Sequence, residues 1–327
     1  MILSFLMTAP HLAIGLATFA MLAAAAAPPP PPLAPGAQPV QLASEGAGEG
    51  PAWRDGTLYF SGGGKISRWQ PGGSGVTVFR DPSGGSNGLR FDREGRLIVC
   101  EAGNRRVTRI EKNGEVTVLA DRIEGHRFNT PNDLALDSRG RIYFSDPRYG
   151  KRDGMELDVE GVYRIDAPGQ VVRVLGKEVE RANGVLVSPD DKYLYVADNN
   201  NNTVGGARKL WRFTLQQPGG TVQPGSRKLI YDWLDGRGPD GVKMDNAGRL
   251  FVAGGLNKPH PPAETDRMKG GVYVLSPAGK LLGFVPIPRD EVTNCAFGGA
   301  DGKTLFITAG GSLWSIATGS GGTWMLK

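Results

Sequence analysis

The chain has 327 residues, 39% of them hydrophobic and 22% charged, with 49 glycines and a formal charge of +5. That composition is globular and excludes a disordered or collagen-like chain. Lys and Arg are scattered through turn-like stretches with no basic run interleaved with aromatics, which argues against nucleic-acid binding. Two cysteines, Cys100 and Cys295, suit neither a disulfide framework nor a zinc knuckle; free buried thiols are the simple reading, and a bridge between them stays open.

Residues 1–27 are almost wholly apolar and end in alanines, and prolines fill positions 28–32. This pattern predicts a secretory signal, then a stiff proline-rich linker over residues 28–38, and hence a secreted or periplasmic protein. No Lys or Arg precedes the apolar run, so an uncleaved membrane anchor is the alternative. The folded domain is expected over residues 39–327.

The rest of the chain repeats one unit. A turn, a Gly and an apolar triplet recur as "RDGTLYF", "REGRLIV", "SRGRIYF", "DDKYLYV", "NAGRLFV" and "ADGKTLFI", with triplets starting at Leu58, Leu97, Ile142, Leu194, Leu250 and Leu305. A second strand-like phrase follows each triplet, as in "KISRW" and "GVYRI". The spacing accommodates four strands per unit, and none of the units can bury both of its faces alone. The prediction is an all-β fold, a six-bladed β-propeller with four-stranded blades. The sixth unit is short of a last strand. "QPVQLAS" at residues 38–44 is expected to supply it and close the ring, with "GTWML" at 322–326 as competitor.

An oxygen-bearing side chain stands 9 to 11 residues before every triplet: Glu49, Asn87, Asn132, Asn183, Asp240 and Asn294. First strands line a propeller's channel, so these six face one another. Four amides and two carboxylates with no Lys or Arg among them call for a hard cation, and Ca²⁺ takes such oxygen ligands. Asn-Gly and Asp-Gly are also common turn signals, but six in matched register favour a site. Soft-metal ligands are lacking, since His126 and His260 are the only histidines beyond the apolar N-terminus.

The segments "EGPAW", "IVCEAGNRRVTRI", "NTPNDLALDSRGRIYFSDPRYG", "ANGVLVSPDDKYLYVAD" and "GPDGVKMD" resemble the SMP-30/gluconolactonase family, over roughly residues 40–317. The resemblance implies a six-bladed propeller with a divalent ion, usually Ca²⁺ (Mg²⁺, Mn²⁺ or Zn²⁺ being substitutes), held by Glu49, Asn132, Asn183 and Asp240. Asn87 and Asn294 are then pocket residues near the ion. One departure stands out: Thr130 occupies the position of an Arg found in the sugar-lactonase branch, which leaves the substrate open.

The implied reaction is hydrolysis of a sugar-type lactone, with the ion polarising the carbonyl and Asp240 as general base for water. Long loops after the second strands of blades 3, 4 and 5 should wall the pocket. Asn129, Arg148 and Tyr149 are substrate-binding candidates, with His126 and Arg127 nearby; Glu101 is expected to pair with Arg105 or Arg106. "GGSNG" mimics a serine-hydrolase elbow, but a strand follows Ser86 where a helix is needed. The partner is a small-molecule lactone and the protein is expected to be a monomer, off the membrane once the signal is cleaved. The alternatives are a phosphotriester-hydrolysing propeller, or a non-catalytic propeller that binds sugar or protein around a structural ion.

Overall fold

A computed structural model describes Met1 and residues 29–323, so the expected signal segment, apart from Met1, lies outside the described residues. Every regular element among the described residues is a β-strand. The strands form six antiparallel blades arranged in a ring. Their innermost strands are Glu49–Arg54, Ser86–Phe91, Leu134–Leu136, Ala182–Val187, Pro239–Met244 and Val292–Gly298. The apolar triplets lie in the second strands, where Leu58, Val99, Leu194, Leu250 and Ile307 are fully buried. Burial of each such side chain contributes about 1.5–3 kcal/mol.

The core is divided among the gaps between blades. Cys100, Val107 and Leu119 of the second blade pack with Phe144 and Tyr163 of the third. Corresponding clusters join blades 3 and 4, 4 and 5, 5 and 6, and 1 and 2. The last joins Leu58 and Phe60 of blade 1 to Phe306 and Leu313 of blade 6, so the ring is closed by packing. It is also closed by hydrogen bonds: strand Val40–Ala47 pairs antiparallel with Gly311–Ala317, opposing Val40 to Ser315 and Gln41 to Trp314. This is the closure the sequence predicts. Of the competing segment, Gly322 bridges Asp245 and Thr323 donates to the Met244 carbonyl, both at the end of the inner strand of the neighbouring blade 5, while residues 324–326 are outside the described residues.

The proline-rich stretch is not a free spacer. Leu33 bridges Thr318, Ala34 donates to the Ala317 carbonyl at 3.1 Å, and the Arg249 guanidinium donates to the Pro30 carbonyl. Proline-rich chain makes no internal backbone hydrogen bonds, so its carbonyls remain available to the blade surface.

Adjacent inner strands approach closely at the channel because glycine follows the polar residue. A Cβ on Gly184 would lie 2.1 Å from the Asp240 carbonyl oxygen, and one on Gly50 2.1 Å from that of Asn87. The Gly of these Asn-Gly and Glu-Gly pairs therefore serves backbone approach inside strands. The turn reading of those pairs does not apply.

Candidate active site

The six oxygen-bearing residues converge at one mouth of the channel. Glu49 heads its strand, Asn87, Asn183 and Asp240 are second in theirs, Asn294 is third, and Asn132 lies just ahead of its own. Their contacts run from blade to blade. Gly88 N–H donates to the Asn132 carbonyl at 2.7 Å, and the Asn294 amide donates to Glu49 Oε2 at 3.3 Å. Asn183 and Asp240 are both almost fully buried, at 3% exposure.

Several of these oxygens have no protein partner. Asn87 Oδ1, Asn183 Oδ1 and Asp240 Oδ1 are buried without a hydrogen bond. Buried polar atoms left this way are costly, so they mark a place built for a ligand. Burial, followed by the charge of Asp133, pushes the Glu49 carboxyl up to about 7, against the opposing pull of the Gly50 N–H. Burial, followed by the charge of Glu49, pushes Asp240 well above the usual carboxylate range. Two carboxylates that hinder each other's ionisation, with amide oxygens beside them, suit a hard divalent cation. Among the described residues no three His, Cys, Asp or Glu side chains gather as a metal cluster, so the donor set that fits is mixed: Glu49, Asn132, Asn183 and Asp240.

The charge balance differs from the sequence expectation. None of the six is a cation, but two cations reach them from neighbouring positions. Lys243 Nζ donates to Asn294 Oδ1 at 3.1 Å and lies 3.8 Å from Asp133 Oδ2. Arg237 Nη2 lies 3.6 Å from Asp240 Oδ2 and 2.8 Å from Glu291 Oε2, while its Nη1 is 3.6 Å from Glu264 Oε1. His260 Nδ1 stands 3.3 Å from Glu264 and 3.6 Å from Glu291. These residues were missed because their side chains enter the site from the far part of the inner strand (Lys243), from its approach (Arg237) and from two loops. One signal was available: Lys243 and Arg237 each lie three positions from Asp240 in sequence.

The substrate-binding candidates divide. Tyr149 is at the site: its hydroxyl donates to the Asn199 carbonyl at 3.2 Å, its ring lies under the Arg181 guanidinium at 5.3 Å, and the Asp240 charge adds to burial in raising its phenol. Asn199 is fully buried with neither side-chain polar atom bonded. Arg148 spends its guanidinium on the carbonyls of Asn129, Lys151 and Asp153. Asn129 is fully buried, its amide bonded to the Asp146 and Val159 carbonyls. The structure places both in holding the long blade-3 loop, whose backbone carbonyls need donors. Thr130 turns away in the same manner, bonded to the Pro147 carbonyl.

The other predicted features fall outside the ring. His126 and Arg127 are exposed in a two-residue hairpin strand. Glu101 is fully buried in a network with Arg80, Arg106, Asn104 and Thr108, as its expected pairing with Arg106 required. Ser86 opens an inner strand, and its hydroxyl donates to the Lys65 carbonyl. Cys100 and Cys295 are buried free thiols.

Burial also perturbs one carboxyl near this loop. Burial pushes the Asp146 carboxyl from 3.8 up to about 7, against the Asn129 and Thr130 N–H groups. A carboxyl raised on folding adds stability that is complete below its unfolded value and is lost as pH rises through its folded value. The protein is therefore expected to lose stability between about pH 4 and 7. Asp146→Asn should remove that loss, raising Tm at pH 8 by roughly 5 °C relative to wild type, with no gain at pH 4. Parallel Tm–pH curves for the two proteins would refute it.

Residues 47–311 match the sequence profile described as the SMP-30/Gluconolactonase/LRE-like region. The chain belongs to this family. Among its relatives, the gluconolactonase of Zymomonas mobilis is 30% identical over 298 residues, covering 83% of this chain and 78% of that one. The 6-deoxy-6-sulfogluconolactonase of Pseudomonas putida is 30% identical over 274 residues, covering 80% and 82%. The solved gluconolactonase of Xanthomonas campestris superposes with a TM-score of 0.72 at 30% identity, over 88% of this chain and 95% of that one. In this SMP-30/gluconolactonase family member the polar ring stands at the channel mouth bordered by the long loops of blades 3, 4 and 5.

Proposed function

We propose that the protein is a divalent-metal-dependent lactonase that opens sugar-type lactones at the Glu49–Asn132–Asn183–Asp240 ring. The observation that carries this reading is the set of unpartnered oxygens on Asn183 and Asp240, beside two carboxylates that resist ionising together. Membership of a family whose relatives are named as lactonases supports the reaction class. A bound Ca²⁺ would polarise the lactone carbonyl.

The chain's own residues do the rest. Asp240 takes a proton from the attacking water. The water oxygen bonds to the carbonyl carbon, the ring C–O bond breaks, and that proton passes from Asp240 to the departing ring oxygen. The product is an open hydroxy acid. Arg237 lies against the other oxygen of Asp240 and keeps the carboxylate oriented. Tyr149, held by Arg181 and Asn199, presents an aromatic edge and a hydroxyl to a polyol.

The test is hydrolysis of glucono-1,5-lactone and a panel of related lactones by the purified protein, with EDTA and then added Ca²⁺. Activity that EDTA removes and Ca²⁺ restores is the expected result. Ca²⁺ that raises Tm without turnover of any lactone would leave a cation-binding propeller and discard the enzyme.

A further inference from the structure

Asparagines at equivalent ring positions present their amides in opposite ways. Asn87 Oδ1 and Asn183 Oδ1 are buried with no hydrogen bond. Asn294 Oδ1 accepts two, from Lys243 Nζ at 3.1 Å and from the Cys295 N–H at 2.9 Å. Two donors on one amide oxygen fix which end of the amide is which, so the NH₂ is the end left for the ring. It donates to Glu49 Oε2 at 3.3 Å.

The amide is clamped in that orientation. Asn294 is buried, and a Cβ on Gly241 would collide with its Oδ1 and Cγ, so it lies directly on the backbone beside Asp240. Lys243 is itself held in place, facing Asp133 Oδ2 at 3.8 Å and the charge of Glu49. Turning the amide over would set its NH₂ against the ammonium and the Cys295 N–H, donors with no acceptor between them. On the Glu49 side, Oε2 also accepts the Gly50 N–H at 3.1 Å. Donors from blades 1 and 6 thus hold one oxygen of this carboxylate.

We propose that Asn294 is a positioning residue for Glu49 and not a ligand of the ion, its polarity set by Lys243 and the Cys295 N–H. This role rests on the reading of the ring as the divalent-metal site of a lactonase. An amide that turns its N–H groups to the ring offers a cation nothing, so Asn294 acts through the carboxylate it holds. Ca²⁺ takes about six to eight oxygens. With the Asn294 oxygen withheld, the blade-6 side of the ion stays open to water and the lactone carbonyl.

Tb³⁺ is the probe, a luminescent hard cation titrated into the whole protein after EDTA treatment. Its decay in H₂O against D₂O counts the waters on the bound ion. Asn294→Ala should weaken Tb³⁺ about tenfold or more, the usual scale for losing a group that orients a metal ligand, without adding a bound water. Asn183→Ala, which removes a ligand, should add one. In a Glu49→Ala background the further loss from Asn294→Ala should shrink below about threefold, because the contact is already gone. Asn294→Ser, too short to reach Glu49, takes the place of Asn294→Ala if the latter misfolds. A water gained at Asn294→Ala would make the residue a ligand and overturn the proposal. Unchanged affinity, or a loss carried in full into Glu49→Ala, would overturn it too. A wild-type protein that binds neither Tb³⁺ nor Ca²⁺ would remove the ring itself, and this role with it.

Discussion

Asp240→Asn is expected to lower lactone turnover by about 100-fold or more, with little change in KM and a folded protein still stabilised by Ca²⁺. The side chain stays isosteric and keeps one oxygen donor, so the change removes the proton-accepting role and one negative charge. General-base contributions of about 10²–10⁴ set the scale. Asp240 suits the role because its Oδ1 has no protein partner and because burial, then the neighbouring Glu49, raise its proton affinity well above that of an ordinary carboxylate. A carboxylate held by a metal is a weaker base than a free one, so its unshared oxygen must do the work. Single-turnover measurement at saturating Ca²⁺ separates lost chemistry from lost metal. An Asp240→Asn protein with wild-type turnover would assign the base elsewhere; Glu291, which meets Asp240 across the Arg237 guanidinium, is the first place to look.

Gly184→Ala is expected to be among the most damaging single-methyl changes in the molecule. Its Cβ would lie 2.1 Å from the Asp240 carbonyl oxygen and 3.0 Å from the Gly241 Cα, both backbone atoms that no rotamer change can move. The inner strands of blades 4 and 5 would have to separate where Asn183 and Asp240 meet. Overpacking of this kind costs about 1–3 kcal/mol or more, so a fall in Tm of roughly 5 °C is the expected minimum, together with weaker stabilisation by Ca²⁺. Gly150→Ala is the control, because a Cβ there meets nothing within 4 Å. If Gly184→Ala and Gly150→Ala unfold at the same temperature, the close approach of the inner strands does not matter to stability.

The site was legible in outline and wrong in its charge balance. Glu49, Asn87, Asn132, Asn183, Asp240 and Asn294 could be found by counting back from the triplets, because a propeller places equivalent positions on its axis. Their own charges include no cation, and the cations that reach them come from outside the six positions. Lys243 and Arg237 sit just along the chain, and whether their side chains turn into the channel depends on local strand geometry. The inner strand of blade 5 has a register shift between Pro239 and Val242, which breaks strict alternation and so hides where Lys243 points. The donor groups of Arg148 and Asn129 are committed to backbone carbonyls for a related reason. A long loop must satisfy its own carbonyls, and sequence shows the donors without showing which acceptors take them.

What the sequence determined by itself was the periodic part. Repeated triplets made six blades, a deficit in the last unit called for the N-terminal strand, and that strand pairs with Gly311–Ala317. Periodicity is local, set by which residues favour strands and turns, and so it survives in a linear reading. Only the tertiary structure decided the rest: the docking of Pro30 on Arg249 of blade 5 and of Ala34 on the last blade, and the reach of Lys243 and Arg237 into the ring. Each depends on side chains from different blades meeting across the axis. Those distances are fixed by ring closure and packing, and no pattern along the chain encodes them.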